Sequence, residues 1–227
     1  FAGEPDLCQP IDFDIDDRGR LWAVECFSYP ENEGPPRDRV MMFTDRDGDG
    51  VSDERKVFLA NGRRLTSVAV GFGGVWVLSL PELLFCPDRD GDGVADGPPE
   101  VVLDGWSLVS VHNMVNGLAW GPDGWLYGRH GMHAVSRVGR PGTPDAARIP
   151  LDCGIWRYHP VRREFEVVVR GMVNPWGLDW DENGQSVIGN NVNGHLWHLI
   201  PGALYERTAG AGFDPYSYGT IPICADH

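Results

Sequence analysis

The sequence predicts an all-β protein built as a β-propeller, with about four blades of four antiparallel strands. Three observations predict it. A hairpin unit recurs four times, with turn glycines aligned at Gly19, Gly74, Gly124 and Gly184, at intervals of 55, 50 and 60 residues. Two further strand-like runs follow each of the first three hairpins and one follows the fourth, after which the pattern fades. Four short strands per repeat at this period is the signature of propeller blades rather than of an ordinary sandwich. No segment sustains a helical period.

The stretch from His112 to His130 shows the unit most plainly. A short apolar strand runs into Gly121-Pro122-Asp123-Gly124, and a second strand leaves it. Proline presets φ for such a turn, and glycine accepts the positive φ it needs. Blades are therefore expected at residues 10–60, 64–104, 112–170 and 174–227, after a lead-in over 1–9. The tryptophans at 22, 76, 120, 125, 156, 176, 180 and 197 fall on the strands and are expected to pack between blades.

At 227 residues the chain can bury a core. Its 30 glycines and 18 prolines suit many short strands joined by tight turns. No apolar run approaches the roughly 18–20 residues of a membrane span. No signal peptide is visible at Phe1, so the chain is expected to start processed or excised. A net charge of −14 argues against nucleic acid or an anionic membrane surface as partner. The five cysteines, Cys8, Cys26, Cys86, Cys153 and Cys224, form no Cys-x-x-Cys, so neither a zinc ribbon nor covalently attached haem is encoded. They leave open one disulfide, between Cys8 and Cys26, or buried free thiols.

Two nonapeptides lie 43 residues apart, in register with the first two blades: Asp45-Arg-Asp47-Gly-Asp49-Gly-Val51-Ser-Asp53 and Asp88-Arg-Asp90-Gly-Asp92-Gly-Val94-Ala-Asp96. Each offers carboxylates at loop positions 1, 3, 5 and 9, a glycine at 6 and the backbone carbonyl of Val51 or Val94 at 7. Calcium prefers six to eight hard oxygens, and this spacing wraps them round one point. Four like charges this close would repel strongly without a cation. Position 12 is Lys56 or Pro99 instead of the EF-hand glutamate, and the flanks are strands. Two calcium ions on β-hairpin loops are expected, in a structural role.

In a blade, the residues entering the first strand and leaving the second meet at one face near the axis, opposite the turn between strands three and four. Glu25, His130 and Asn190 are thus equivalent positions, with Ser79 or Leu80 in the second blade depending on a one-residue bulge. Arg63, Arg64, His112, Asn113 and Asn174 precede first strands and reach the same mouth, where the insertion over 131–153 also opens as a wall or lid. Convergent polar groups at a concave centre make the default site. His112 could act as general base, because its ordinary pKa lies near neutrality. Glu25 with His130 could form an acid–base or metal-binding pair. Asn174, Asn190 and Asn191 could hold hydroxyls or a carbonyl, and Asn113 and Arg64 join Asn174 and Asn190 as candidate cofactor contacts. His159 and His198, on outer strands, are expected to be structural.

These motifs resemble a known family. Ile11-Asp-Phe-Asp-Ile-Asp-Asp-Arg-Gly-Arg-Leu-Trp-Ala-Val-Glu25, Phe72-Gly-Gly-Val-Trp76, Asp104-Gly-Trp106, the 112–130 stretch, Gly154-Ile-Trp-Arg-Tyr-His-Pro160 and Asn174-Pro-Trp-Gly-Leu178 resemble the membrane-bound dehydrogenase-like propeller domain of planctomycete-type bacteria. That family is distantly similar to quinoprotein glucose and sorbosone dehydrogenases, six-bladed propellers that oxidise sugars with pyrroloquinoline quinone (PQQ). The resemblance implies a ring of six or seven blades, of which this chain supplies about four, the rest coming from a longer chain or from other chains. It implies His112 as catalytic base, PQQ as cofactor and a cytochrome c as electron acceptor. The chain departs from it twice. Val173 precedes Asn174-Pro175 where the quinoproteins carry an arginine, and Gly189-Asn-Asn-Val-Asn-Gly194 replaces their acidic-histidine motif. Asp226 and His227 stand where the next blade would enter.

The leading expectation is a calcium-stabilised propeller of a quinoprotein-like sugar or alcohol dehydrogenase, periplasmic or extracellular, with substrate oxidised at the axial mouth. A non-catalytic propeller binding carbohydrate or a protein partner through the same face is the alternative. A lactonase-like hydrolase, with a catalytic calcium on the axis held by Glu25 and the asparagines, is a third.

Overall fold

The computed structural model describes residues 1–192, 194–208, 210, 212, 214 and 216–222; Cys224, Asp226 and His227 lie outside the described residues. Strands dominate the described residues, and a single 3-10 turn at Asp145–Ala147 is their only helical segment. The chain divides into two compact units, Phe1–Asp104 and Gly105–His227. Each contains two propeller blades.

In the first unit, β1 (Pro10–Ile15), β2 (Leu21–Glu25), β3 (Asp38–Thr44) and β4 (Glu54–Gly62) pair in chain order, every pair antiparallel. β5 (Leu65–Val70), β6 (Gly74–Ser79), β7 (Glu82–Pro87) and β8 (Glu100–Asp104) repeat the arrangement. Alternation along the strands sends Trp22, Val24, Val40 and Met42 of one blade against Leu65, Val68, Val75 and Val77 of the other. Burying side chains of this size contributes about 1.5–3 kcal/mol each. Carboxylates on β1 reinforce the contact. Asp12 accepts the Ser67 hydroxyl and the Val68 N–H, and Asp14 accepts the Val70 N–H at 2.7 Å. Burial holds the Asp14 carboxyl above its ordinary pKa, against the pull of the Val70 N–H.

The turn glycine of the second blade differs from the alignment. Phe72 (φ 55°) and Gly73 (φ 77°) make the tight turn. Gly74 opens β6, where a Cβ would run into the Cys86 carbonyl and the Phe85 ring. The other three turns use Gly19, Gly124 and Gly184, all with positive φ, as expected.

In the second unit, β9 (Val115–Trp120), β10 (Leu126–His130), β13 (Gly154–His159) and β14 (Glu164–Arg170) form a blade. The insertion between β10 and β13 folds into a small hairpin, β11 (Ser136–Val138) and β12 (Ile149–Leu151). β15 (Asn174–Trp180), β16 (Ser186–Asn191) and β17 (Leu196–His198) form a three-stranded sheet. A core of Trp125, Tyr127, Ile155, Val169, Ile188, Trp197 and Tyr205 joins these two blades. Trp176 departs from the expected packing, being 38% exposed. Cys8, Cys26, Cys86 and Cys153 are free thiols, which settles the open alternative for the Cys8–Cys26 pair. No helix among the described residues is long and apolar enough to cross a membrane.

One irregularity recurs in every blade and sets the strand ends. Pro10 pairs with Glu25, Leu65 with Ser79, Val115 with His130 and Pro175 with Asn190. The first strand carries one extra residue just beyond this pair in three blades, Ile11, Thr66 and Trp176, and one pair further on, at Gly117–Leu118, in the blade of β9. A one-residue bulge of this kind locally re-aims side chains. It makes Ser79, and not Leu80, the equivalent of Glu25.

Candidate functional site

Each unit carries its own share of the strand-end residues. In the first, Glu25 is fully buried. Its Oε1 accepts the Cys8 N–H at 2.8 Å and its Oε2 accepts the Arg39 guanidinium at 2.6 Å, so both oxygens are engaged in tying down the lead-in segment and β3. Arg64 donates to the Asn32 carbonyl, holding the loop between β2 and β3. The Ser79 hydroxyl donates to the Arg63 carbonyl at 3.2 Å. A residue that the sequence reading passed over, Asp38, organises this end. Buried completely, it accepts the Ser28 N–H (2.7 Å), the Ser28 hydroxyl (2.7 Å) and the Leu65 N–H (2.9 Å). Only its place at the first position of β3, next to a polar loop, could have signalled it.

In the second unit, His130 is buried with both ring nitrogens in hydrogen-bond range, Nδ1 at 2.8 Å from the Gly131 carbonyl and Nε2 at 2.7 Å from the Ser136 hydroxyl. The Ser136 hydroxyl donates to the Ala134 carbonyl at 3.0 Å, and the Cys153 N–H approaches Nδ1 at 3.4 Å. Burial pushes the imidazole pKa down to about 4. Asn113 lies against Gly131, where a Cβ would collide with its backbone, so the residues ahead of β9 sit beside the His130 strand end. His112 is exposed there.

Asn174 and Asn190 come together. Asn190 Oδ1 accepts the Asn174 N–H at 2.9 Å and the Val173 N–H at 3.3 Å. Asn174 itself is buried, and its Oδ1 has no hydrogen-bond partner among the described residues. A buried acceptor left this way costs about 1–3 kcal/mol. Val173 is 5% exposed and packs into the core of the unit, so no cationic side chain stands at that position. His159 accepts two backbone N–H groups through Nδ1, and His198 bonds Gln185, as structural residues do.

Away from these strand ends, the two aspartate loops fold alike. Asp45, Asp47 and Asp49 bring ligand atoms within 4.8 Å of one another, and so do Asp88, Asp90 and Asp92. Backbone N–H groups hold the carboxylates inward: Asp45 accepts from Gly48 and Gly50, Asp88 from Asp92 and Gly93. The N–H groups of Gly50 and Gly48 hold the Asp45 carboxyl below its ordinary pKa. The ninth residues close the loops, Asp53 accepting the Arg46 N–H and Asp96 the Arg89 N–H.

The sequence profile described as domain of unknown function DUF7133 matches residues 1–217. The chain belongs to the DUF7133 family. No curated protein matches this DUF7133 chain. Among solved structures, it is similar to an oxidoreductase of Thermus thermophilus, provisionally named a glucose dehydrogenase, at 21% identity and a TM-score of 0.58, covering 92% of this chain and 67% of that one. It is similar to the PQQ-bound aldose sugar dehydrogenase of Streptomyces coelicolor at 19% identity and a TM-score of 0.58, covering 88% and 62%. It is similar also to a chain of the nidogen–laminin complex at 12% identity and a TM-score of 0.59, covering 88% and 63%. The DUF7133 chain thus spans about two thirds of the length of these structures, and the likeness establishes the propeller fold.

Proposed function

We propose that this DUF7133 chain is a calcium-stabilised propeller that works outside the cytoplasm and binds a sugar or alcohol beside Asn174, at the strand ends of its second unit. The metal part is carried by the duplicated aspartate loop, whose inward-held carboxylates match what a hard cation takes. Asp45, Asp47, Asp49 and the Val51 carbonyl would hold one calcium ion. Asp88, Asp90, Asp92 and the Val94 carbonyl would hold the other, with Asp53 and Asp96 bracing the loops. The unpartnered Asn174 Oδ1 supports the ligand part, since a substrate hydroxyl there would supply its missing donor.

The sugar dehydrogenases among the similar structures, together with the exposure of His112, favour oxidation of that ligand as a second reading, in which His112 takes the hydroxyl proton. The residues named for PQQ do not fit it. Val173 is buried in the core, and Arg64 is committed to the Asn32 carbonyl. A quinone with several carboxylates needs cationic partners. A cytochrome c partner belongs to this second reading alone.

Calorimetric titration of the metal-stripped chain with calcium, and of the calcium-loaded chain with PQQ, tests both. Two calcium equivalents without quinone binding is the expected result. Absence of calcium binding overturns the main reading, and micromolar PQQ binding lost in His112→Ala overturns the preference for it over the second.

A further inference from the structure

The second unit contains a cavity of about 420 Å³ at the turn ends of its strands, the far end of β10 from His130. Its lining comes from both blades: Asp123, Tyr127, Arg157 and Glu166 on one side, Trp180 and Ser186 on the other. The volume falls in the ~300–1,000 Å³ range of small-molecule clefts.

The polar side is fixed before any ligand arrives. Arg157 donates from Nε (2.9 Å) and Nη2 (2.7 Å) to Glu166 Oε2, and from Nη1 to Asp123 Oδ2 (3.1 Å) and the Tyr127 hydroxyl (3.2 Å). Tyr127 in turn donates to Asp123 Oδ2 at 2.9 Å. The guanidinium lies 4.2 Å over the Trp125 ring, which locks its plane. Burial, reinforced by Asp123, holds the Tyr127 pKa above its ordinary value, so its hydroxyl stays a donor. Both Arg157 bonds to Glu166 use the same oxygen, leaving Oε1 as an acceptor without a protein partner among the described residues.

The remaining lining is apolar and partly aromatic: Val168, Leu199, Pro201 and Trp180, whose ring meets Tyr127 edge-on at 5.1 Å. Two carboxylates and one guanidinium leave this wall with a slight negative excess, which disfavours anions. A rigid row of acceptors and donors facing an apolar and aromatic wall suits a ligand with hydroxyls on its rim and C–H groups on its faces. We propose that this cavity binds a neutral pyranose unit, as a saccharide site separate from the strand-end face.

The calcium-loaded chain is titrated with glucose, galactose, mannose and cellobiose, following tryptophan fluorescence and heat. Two variants accompany it: Glu166→Gln, which alters a half-exposed carboxylate, and Pro201→Trp, which plugs the cavity from an exposed position. Circular dichroism and thermal unfolding check that both fold. The expected result is saturable binding of at least one sugar, weakened at least about tenfold in both folded variants. No saturable binding across the four sugars, or binding that both variants leave unchanged, overturns the proposal.

Discussion

The Arg18 guanidinium, at the tip of the first hairpin, donates to the Gly91 carbonyl at 2.7 Å, inside the aspartate loop of the second blade. Its other terminal nitrogen reaches the Asp90 carbonyl, Arg20 adds a bond to Gly91, and Lys56 reaches the Asp92 carbonyl. Three cations of one blade thus grip the outward carbonyls of a loop whose carboxylates point inward. Replacing Arg18 and Arg20 together by alanine is expected to lower stability by about 1–2 kcal/mol, discounted for the exposure of Arg18. It should also weaken metal binding at Asp88, Asp90 and Asp92 while sparing Asp45, Asp47 and Asp49. Denaturant unfolding and terbium titration of the two loops check both effects.

Metal removal should be felt as lost stability. At free calcium a thousandfold above the dissociation constant, each occupied loop adds about 4 kcal/mol. Chelator is expected to lower the melting temperature sharply. Asp47→Asn and Asp90→Asn should each remove part of the calcium response and together abolish it, as read by calorimetry.

His130 predicts a pH dependence with a definite sign. Its pKa falls from the ordinary 6.5 to about 4 on burial, so between these values the unfolded chain binds a proton that the folded chain does not. Stability is therefore fully present above pH 6.5 and lost on acidification towards 4, by up to about 3 kcal/mol. His130→Gln should lower stability at neutral pH and flatten this slope. Urea titrations of both proteins from pH 7.5 to 4 check it.

Glu25→Ala strands the Arg39 guanidinium and the Cys8 N–H together. A loss of about 1–2 kcal/mol is expected, because Glu25 is buried whereas the Arg39 it leaves behind is 37% exposed and can be met by water. Faster proteolysis within residues 1–9 should accompany it, and mass spectrometry of limited digests locates the cuts.

Much of this was legible beforehand because blades are local. Strand pairs close through short turns, so the glycine spacing and apolar alternation located β1 to β10 and β13 to β17 within a few residues, and the equivalence of Glu25, His130 and Asn190 followed. The failures have physical causes too. Gly71, Gly73 and Gly74 sit so close together that the sequence cannot tell which takes the positive φ. Residue type alone made Glu25 and His130 look chemically available, whereas Arg39, Cys8, Gly131 and Ser136 occupy them. Those partners are set by register and by the β11–β12 insertion. Asp38, and the Asp12 and Asp14 contacts to β5, depend on how one blade meets the next, which no local pattern encodes.

The extra residue near the start of every first strand bears on how such a chain can change. Side chains alternate across a strand, so deleting Ile11, Thr66 or Trp176 would turn over the few residues before it while leaving the rest of the blade in place. Point deletions there should be purged, whereas the β10–β13 connection, where a whole hairpin is already accommodated, can vary in length. A designer altering either unit would keep its bulges and spare positions 25, 79, 130 and 190, which are buried and already hydrogen-bonded.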